Sequence, residues 1–451
     1  MMQKDLTLIA EGGKDAGLKN SIEQEMKFPA DLSRAQLDSL LSRALEKALE
    51  EIGESGPVLI LPPDITRYHS GAGYLSGIVF RELSRRGGGS MLMPALGTHM
   101  AMTAPEISRM FSGIPKERFL VHDWRRDVVE LDRIEDDWVE ETFKGAVRFD
   151  WPVQVNRQLC SGAYKLIVSI GQVVPHEVAG MANHAKNIFV GCGGKEAIDK
   201  SHFAGACYGM EKIMGRSNTP VRALFDEGLK RSAEKLPPIL WILTVAGLRP
   251  DKTLALRGLF AGFGRECFEK AAALSGELNV DLLDEPVQKA LVYLEPEEFR
   301  TTWLGNKAIY RTRMAMADGG ELVILAPALE RFGEDRDVDA LIRHYGYRPA
   351  AHIRELVEKE SLLGENLSAA AHLIHGSSEG RFTVRYCPGP LMSRREIESI
   401  GYEWGDLKEA LKLYDVKNLP MGWNTLPGGE KIFFVPNPAL GLWSHSRNFS
   451  S

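Results

Sequence analysis

Four short segments concentrate the residues able to move protons, hold anions or bind metal. They are Asp64-Ile65-Thr66-Arg67, Gly97-Thr98-His99, His122-Asp123-Trp124, and the run from Gly171 to His176. Lys186 follows His176 by ten residues, and His202 lies sixteen beyond that. Arg67 offers a planar fork for a carboxylate. His99 and His176 can each exchange a proton near neutral pH. His202 can bind a metal through neutral imidazole, and Lys186 can neutralise an anion or form a covalent link. Taken singly, each has a plainer reading. A post-strand Asp caps a helix, an Arg pairs on the surface, and a lone His is structural. Their coincidence carries the weight. Two acid/base imidazoles plus a carboxylate anchor suit chemistry that reaches one carbon from both faces, as in a racemase or epimerase.

Strands must position these residues. Val58 to Leu61, Ser90 to Leu96, Arg118 to Val121 and Lys165 to Ile170 are apolar runs, and each chemical segment follows one of them. Helical spacing separates the runs: Ser33 to Ile52 with Ser33 as N-cap, Tyr74 to Arg85, and Pro105 to Phe111. Alternating strands and helices imply an α/β sheet with parallel pairing, whose carboxyl edge binds ligands. Further on, Arg222 to Leu236 reads as helix, Ile239 to Val245 as strand and Leu256 to Leu274 as helix, despite its glycines. The pattern restarts after about residue 275, with a helix over Lys307 to Ala317, a turn at Asp318-Gly319-Gly320 and a strand over Glu321 to Leu325. The expectation is two α/β domains with parallel or mixed sheets, 1–275 and 276–451, with residues 1–30 an irregular lead-in. The last 60 residues read as loops with short strands such as Lys431 to Val435. Gly71, Gly73 and Gly77 lack dinucleotide-fingerprint spacing. Gly191 to Lys195 reads as a turn rather than a phosphate cradle.

Composition narrows the class. The 451 residues are 44% hydrophobic and 26% charged, as in ordinary globular proteins. With 55 basic and 61 acidic residues and no strongly basic stretch, general nucleic-acid binding is not expected. No run approaches the ~20 apolar residues of a membrane span. The polar first residues do not resemble a signal peptide, and five scattered cysteines without a CxxC fit a reducing cytoplasm.

The four segments, in this order at these strand ends, resemble the nickel-pincer lactate racemase family of 2-hydroxy-acid racemases and epimerases. The resemblance covers most of residues 55–275 and continues faintly through Lys307 and Gly319-Gly320 to Pro327. It implies a cleft between two domains as the active site. It also implies nickel held in a pyridinium-3,5-bisthiocarboxylic acid mononucleotide, which separate maturation enzymes assemble and recombinant protein can lack. By position, Lys186 is the thioamide tether, Thr98 a cofactor contact and His202 the nickel ligand. His99 and His176 are the acid/base pair, Arg67 holds the substrate carboxylate with Asp64 orienting it, and Lys307 faces the same cleft.

Two departures bear on substrate. Met181-Ala182-Asn183-His184-Ala185 stands where many relatives carry Ser-Gly-Gly, and Leu304 where a Gln is common. Asn183 and His184 would add hydrogen-bonding groups near the substrate. The reading is therefore C2 inversion of a sugar acid, an aldonate 2-epimerase. Lactate or malate racemase is the alternative, and an NAD(P)-dependent 2-hydroxy-acid dehydrogenase a more distant one. A zinc hydrolase and a non-catalytic hydroxy-acid-binding protein are weaker still.

Overall fold

The computed structural model describes residues 8–11, 34–53, 56–248 and 254–449. The chain divides into two compact units. One comprises Met1–Ser201 with Met214–Leu278, and the other His202–Ile213 with Asn279–Ser451. Among the described residues, no helix is long and apolar enough to cross a membrane.

The first unit is built on a six-stranded mixed sheet. Its strands are β1 (Leu8–Glu11), β2 (Val58–Leu61), β3 (Ser90–Leu92), β4 (Leu166–Gln172), β5 (Ile239–Leu248) and β6 (Leu254–Gly262), in the spatial order β1-β6-β5-β4-β2-β3. Strands β3, β2, β4 and β5 run parallel, while β6 and β1 add antiparallel pairs at one edge. Every residue of β2 and β4 is buried, as a strand covered on both faces requires. Helix Arg34–Ile52 buries Leu37, Leu40, Leu41, Ala44, Leu45 and Ala48, the stripe its spacing marks. Its expected cap, Ser33, lies outside the described residues. Together with helix Ala72–Arg85, this stripe joins Val58, Ile60, Val168, Ile170, Leu240 and Ile242 in one core. Burial of such side chains contributes about 1.5–3 kcal/mol each.

Three expectations are corrected. Arg118 to Val121 is not a strand: Lys116–Arg118 is a 3-10 turn, and a single bridge joins Phe119 to Leu92. Leu256 to Leu274 is not one helix. It is β6 followed by helix Arg265–Asn279. Its glycines are the reason. A Cβ on Gly258 would sit 2.5 Å from Leu274 Cδ2, so the bare backbone lets strand and helix pack closely. The third correction falls in the second unit.

The second unit carries its own sheet: β7 (Val287–Tyr293), β8 (Met316–Ala326), β9 (Thr383–Pro388), β10 (Glu403–Trp404), β11 (Gly422–Thr425) and β12 (Lys431–Val435). Their order is β10-β9-β8-β7-β12-β11, parallel except for β11. The expected helix to Ala317 ends at Thr312, and Asp318-Gly319-Gly320 lies inside β8 rather than in a turn. The pairing steps from Val287↔Met316 to Lys289↔Glu321, so the glycines form a bulge, with Gly319 at φ 76°. Helices Arg336–Tyr345, Ala350–Lys359 and Leu367–His375 complete the unit.

Candidate active site

Asp64 follows β2 and caps the 3-10 turn Ile65–Ser70. Its Oδ1 accepts from Thr66 N at 3.1 Å and from Thr66 Oγ1 at 2.5 Å. The other oxygen, Oδ2, lies 2.6 Å from His99 Nδ1. The bland cap and the functional reading therefore coexist in one carboxylate. Burial alone would raise this carboxyl. Hydrogen bonding and charge from His99, together with the Thr66 bonds, hold it below its ordinary value. His99 itself is 59% exposed and sits in the turn after Gly97, whose φ of 59° suits glycine. Thr98 is exposed in the same turn.

A second loop leaves the end of β4 and carries most of the remaining candidates. Pro175–His176 pairs with Gly180–Met181 in a small hairpin. His176 Nδ1 accepts from the amides of Val178 and Ala179, at 3.1 and 3.4 Å. Lys186 precedes a π-helical turn, Asn187–Gly191. Asn187 Nδ2 donates to Ser169 Oγ at 2.9 Å and to Leu61 O at 3.3 Å, which ties the turn to the middle of β4 and the end of β2. Gly97 N donates to Gly191 O at 2.8 Å, joining the His99 turn to the lysine turn. A Cβ on Gly191 would lie 2.8 Å from Ala95 Cβ, and one on Gly193 would lie 1.9 Å from Phe189 O. The Gly191 to Lys195 segment is thus a closely packed turn.

Lys186 is partly buried and makes no hydrogen bond or ion pair among the described residues. Burial, then the charge of Arg67, brings its ammonium down to about 8; Glu177 and Asp64 oppose this and Arg222 adds to it. Arg67 is exposed, at a break in the 3-10 turn. Asp64, Arg67, His99 and Lys186 therefore gather at the carboxyl edge of one sheet.

Asn183 and His184 are placed differently from each other. Both adopt left-handed backbone, at φ 69° and 56°. Asn183 Oδ1 accepts from His184 N at 2.7 Å, and its Nδ2 lies against Gly171 at the end of β4. His184 is 3% exposed, with its ring 4.2 Å from that of Trp241 and 5.2 Å from that of Phe268. Burial and the charges of Arg222 and Arg265 press its imidazole well below the ordinary range. His184 is thus enclosed among aromatic side chains in the core of the first unit. Arg222, fully buried, donates to Asn183 O and Met181 O, bracing the loop from behind. Sequence reading missed Arg222, Glu177 and Asn187, since an isolated polar residue in a helix or turn carries no local signal of its partner.

His122 is also structural. Its Nε2 donates to Gly193 O at 3.1 Å and its Nδ1 accepts from Asn156 Nδ2 at 3.0 Å. Burial pushes it down to about 4, against that hydrogen bond and the charges of Asp123 and Asp127. His202 and Lys307 belong to the second unit. His202 is half-buried on helix Lys195–Tyr208. Lys307 opens helix Lys307–Thr312, its Nζ 4.0 Å from Glu298 Oε1 and 5.6 Å from the Phe299 ring centre. Among the described residues, no three His, Cys, Asp or Glu side chains gather as a metal site. The donors present are one amine and single imidazoles, which fits a metal that brings most of its ligands with it.

Residues 14–213 match the model of the lactate racemase N-terminal domain. This stretch is similar to the N-terminal domain of lactate racemases. Two solved structures share its fold. One is a protein from Thermotoga maritima, 23% identical, with a TM-score of 0.74, covering 91% of this chain and 98% of its own. The other is the lactate racemase apoprotein from Thermoanaerobacterium thermosaccharolyticum, 17% identical, with a TM-score of 0.66, covering 90% and 92%. No curated protein matches the sequence significantly. At these identities the structures speak for the α/β fold, and the family model for the lactate racemase domain that carries Asp64, Arg67, His99, His176, Lys186 and His202.

Proposed function

We propose that this protein is an isomerase that inverts C2 of a 2-hydroxy acid with a tethered nickel-pincer nucleotide. Lys186 carries the reading. A partly buried amine with no hydrogen-bond or ion-pair partner among the described residues, lowered to about 8, is suited to act as a nucleophile toward an acyl-type partner. Lys186 would hold the nucleotide, Thr98 would contact it and His202 would bind its nickel. When bound, that group supplies the acceptor for the substrate's α-hydrogen.

The chain's own residues do the rest. Arg67 pairs with the substrate carboxylate through its fork. His99, held by Asp64, and His176 face the hydroxyl oxygen. Lys307 adds a cation for the carboxylate or tail. Holding the acid by two or three such contacts turns the reaction into an intramolecular one. Of the two residues that favour a sugar acid, Asn183 keeps an amide Nδ2 beside Gly171, so an aldonate remains the favoured substrate. Lactate and malate are the alternative.

The test uses protein made in a host with the maturation enzymes. Intact and peptide mass spectrometry should place a mass addition on Lys186, accompanied by nickel. Holoenzyme is then assayed for C2 exchange with gluconate, mannonate, lactate and malate. Fast lactate exchange with none in either aldonate would overturn the sugar-acid reading. No exchange in any of the four would overturn C2 inversion.

A further inference from the structure

One short segment of the first unit grips the loop that leads to Lys186. Gly215 N donates to Gly180 O at 3.0 Å, and Thr219 Oγ1 donates to Ala179 O at 3.3 Å. Arg222 Nη2 donates to Met181 O at 2.6 Å and its Nη1 to Asn183 O at 3.1 Å. Four of the five carbonyls from Ala179 to Asn183 therefore end on residues 215–222. Thr219 also caps helix Pro220–Ser232 by accepting from Arg222 N at 3.1 Å, so its hydroxyl joins helix and loop. Downstream, Asn187 N donates to His184 O at 2.7 Å, and the Asn187 side chain reaches Ser169 and Leu61. Lys186 lies between these two anchorages. Two features set the grip apart from ordinary packing. Arg222 is fully buried, and among the described residues no carboxylate pairs with it, since Asp226 on the same helix is taken by Arg265. A buried cation met by carbonyls alone is costly, and a well-packed apolar side chain is often as stable in such a place. Asn183 and His184 are also both left-handed, which such residues remain only where surrounding contacts over-determine the backbone. The Arg222 fork takes the carbonyls at the entry to that turn and within it.

We propose that Arg222 and Thr219 are positioning residues, whose clamp on residues 179–183 holds the Lys186 amine in the place where it reacts. This rests on the reading of Lys186 as the tether. The clamp needs a planar fork: an ammonium keeps the charge but cannot serve both carbonyls in that geometry. Once the clamp opens, the loop relaxes and water reaches the amine. The charges acting on Lys186 are Arg67 and Arg222, which disfavour its protonated form, and Glu177 and Asp64, which favour it. A variant that keeps the charge of Arg222 therefore separates position from charge.

The clamp is read on the apoprotein, by acetic anhydride labelling of Lys186 across pH followed by peptide mass spectrometry. Arg222→Lys should move the midpoint upward by ~1 pH unit from about 8, as water replaces the protein around the amine. A wild-type midpoint in folded Arg222→Lys overturns the proposal. Should that variant not fold, Thr219 decides. Thr219→Val loses both bonds of the hydroxyl and should shift the midpoint upward, whereas Thr219→Ser keeps them and should not. An unshifted Thr219→Val overturns the clamp. Leu41→Ala is the control for stability alone: Leu41 is 2% exposed in the core around helix Arg34–Ile52, and its loss should lower the urea midpoint without touching the loop. If Leu41→Ala moves the Lys186 midpoint as far, the shift reports lost stability and the proposal fails. In wild-type protein made beside the maturation enzymes, absence of a mass addition on Lys186 overturns the tether reading, while the apoprotein profiles still decide the clamp.

Discussion

Asp64 serves at once as helix cap, histidine partner and neighbour of Lys186. Asp64→Asn keeps the size and the cap but removes the charge opposite His99. We expect C2 exchange to fall about 10²–10⁴-fold with little change in KM, because the lost interaction matters most when His99 is protonated. A change confined to KM would assign Asp64 to substrate binding. Lys186 allows a test without substrate. With its ammonium lowered to about 8, the amine should be half-reactive toward an acylating reagent near that pH, well below an exposed lysine. Arg67→Ala should move the midpoint upward, since the guanidinium charge contributes to the lowering. A midpoint above 10 in the wild type would remove the argument for a nucleophile.

At the scale of elements, the turn that follows Lys186 is held by a buried histidine whose contribution depends on pH. His122 ties the Gly193 turn to Asn156 in its neutral form. Its folded pKa, about 4, lies below the unfolded value of 6.5. The unfolded chain therefore binds more protons between these values. The contribution of neutral His122 is complete above about pH 6.5 and is lost as pH falls toward 4, on the order of 3 kcal/mol across the window. Urea unfolding at pH 7.5 and 5 should show this loss, and His122→Gln should flatten it. An equal slope in the variant would place the acid sensitivity elsewhere. His184 behaves as core. His184→Ala should destabilise the first unit by about 2–4 kcal/mol through the space left between Trp241 and Phe268. A selective rise in substrate KM at unchanged stability would restore its role in binding.

At the scale of the whole chain, the second unit takes in a segment from far upstream. Glu211, in the His202–Ile213 stretch, accepts from Arg313 Nε at 3.1 Å and from Arg381 at 2.8 Å. Arg313 is 4% exposed and also donates to the carbonyls of His375 and Ser377. Removing the Glu211 carboxylate leaves the buried Arg313 charge poorly compensated. Glu211→Ala should cost about 1–3 kcal/mol, discounted because Glu211 is itself partly exposed. Fragment 279–451, which lacks the segment, should unfold at lower urea than the same unit in the full chain. Equal midpoints would show that the segment is not integral to the unit.

What the sequence determined by itself was local. Strands β2 and β4 and helix Arg34–Ile52 were legible because burial writes a period into consecutive residues. The order Asp64, Arg67, His99, His176, Lys186 after strand ends was legible because chain order and sheet edge coincide in parallel α/β units. Tertiary structure alone decided what each side chain meets. β6 is hidden inside an apparent helix because Gly258 answers to Leu274, not to its neighbours in sequence. That Trp241 and Phe268 enclose His184 is written nowhere in its own stretch of sequence. The ring of His99 meets a carboxylate 35 residues away, and that of His176 two amides in its own turn. Periodicity records whether a residue is buried. Only the folded chain records against what.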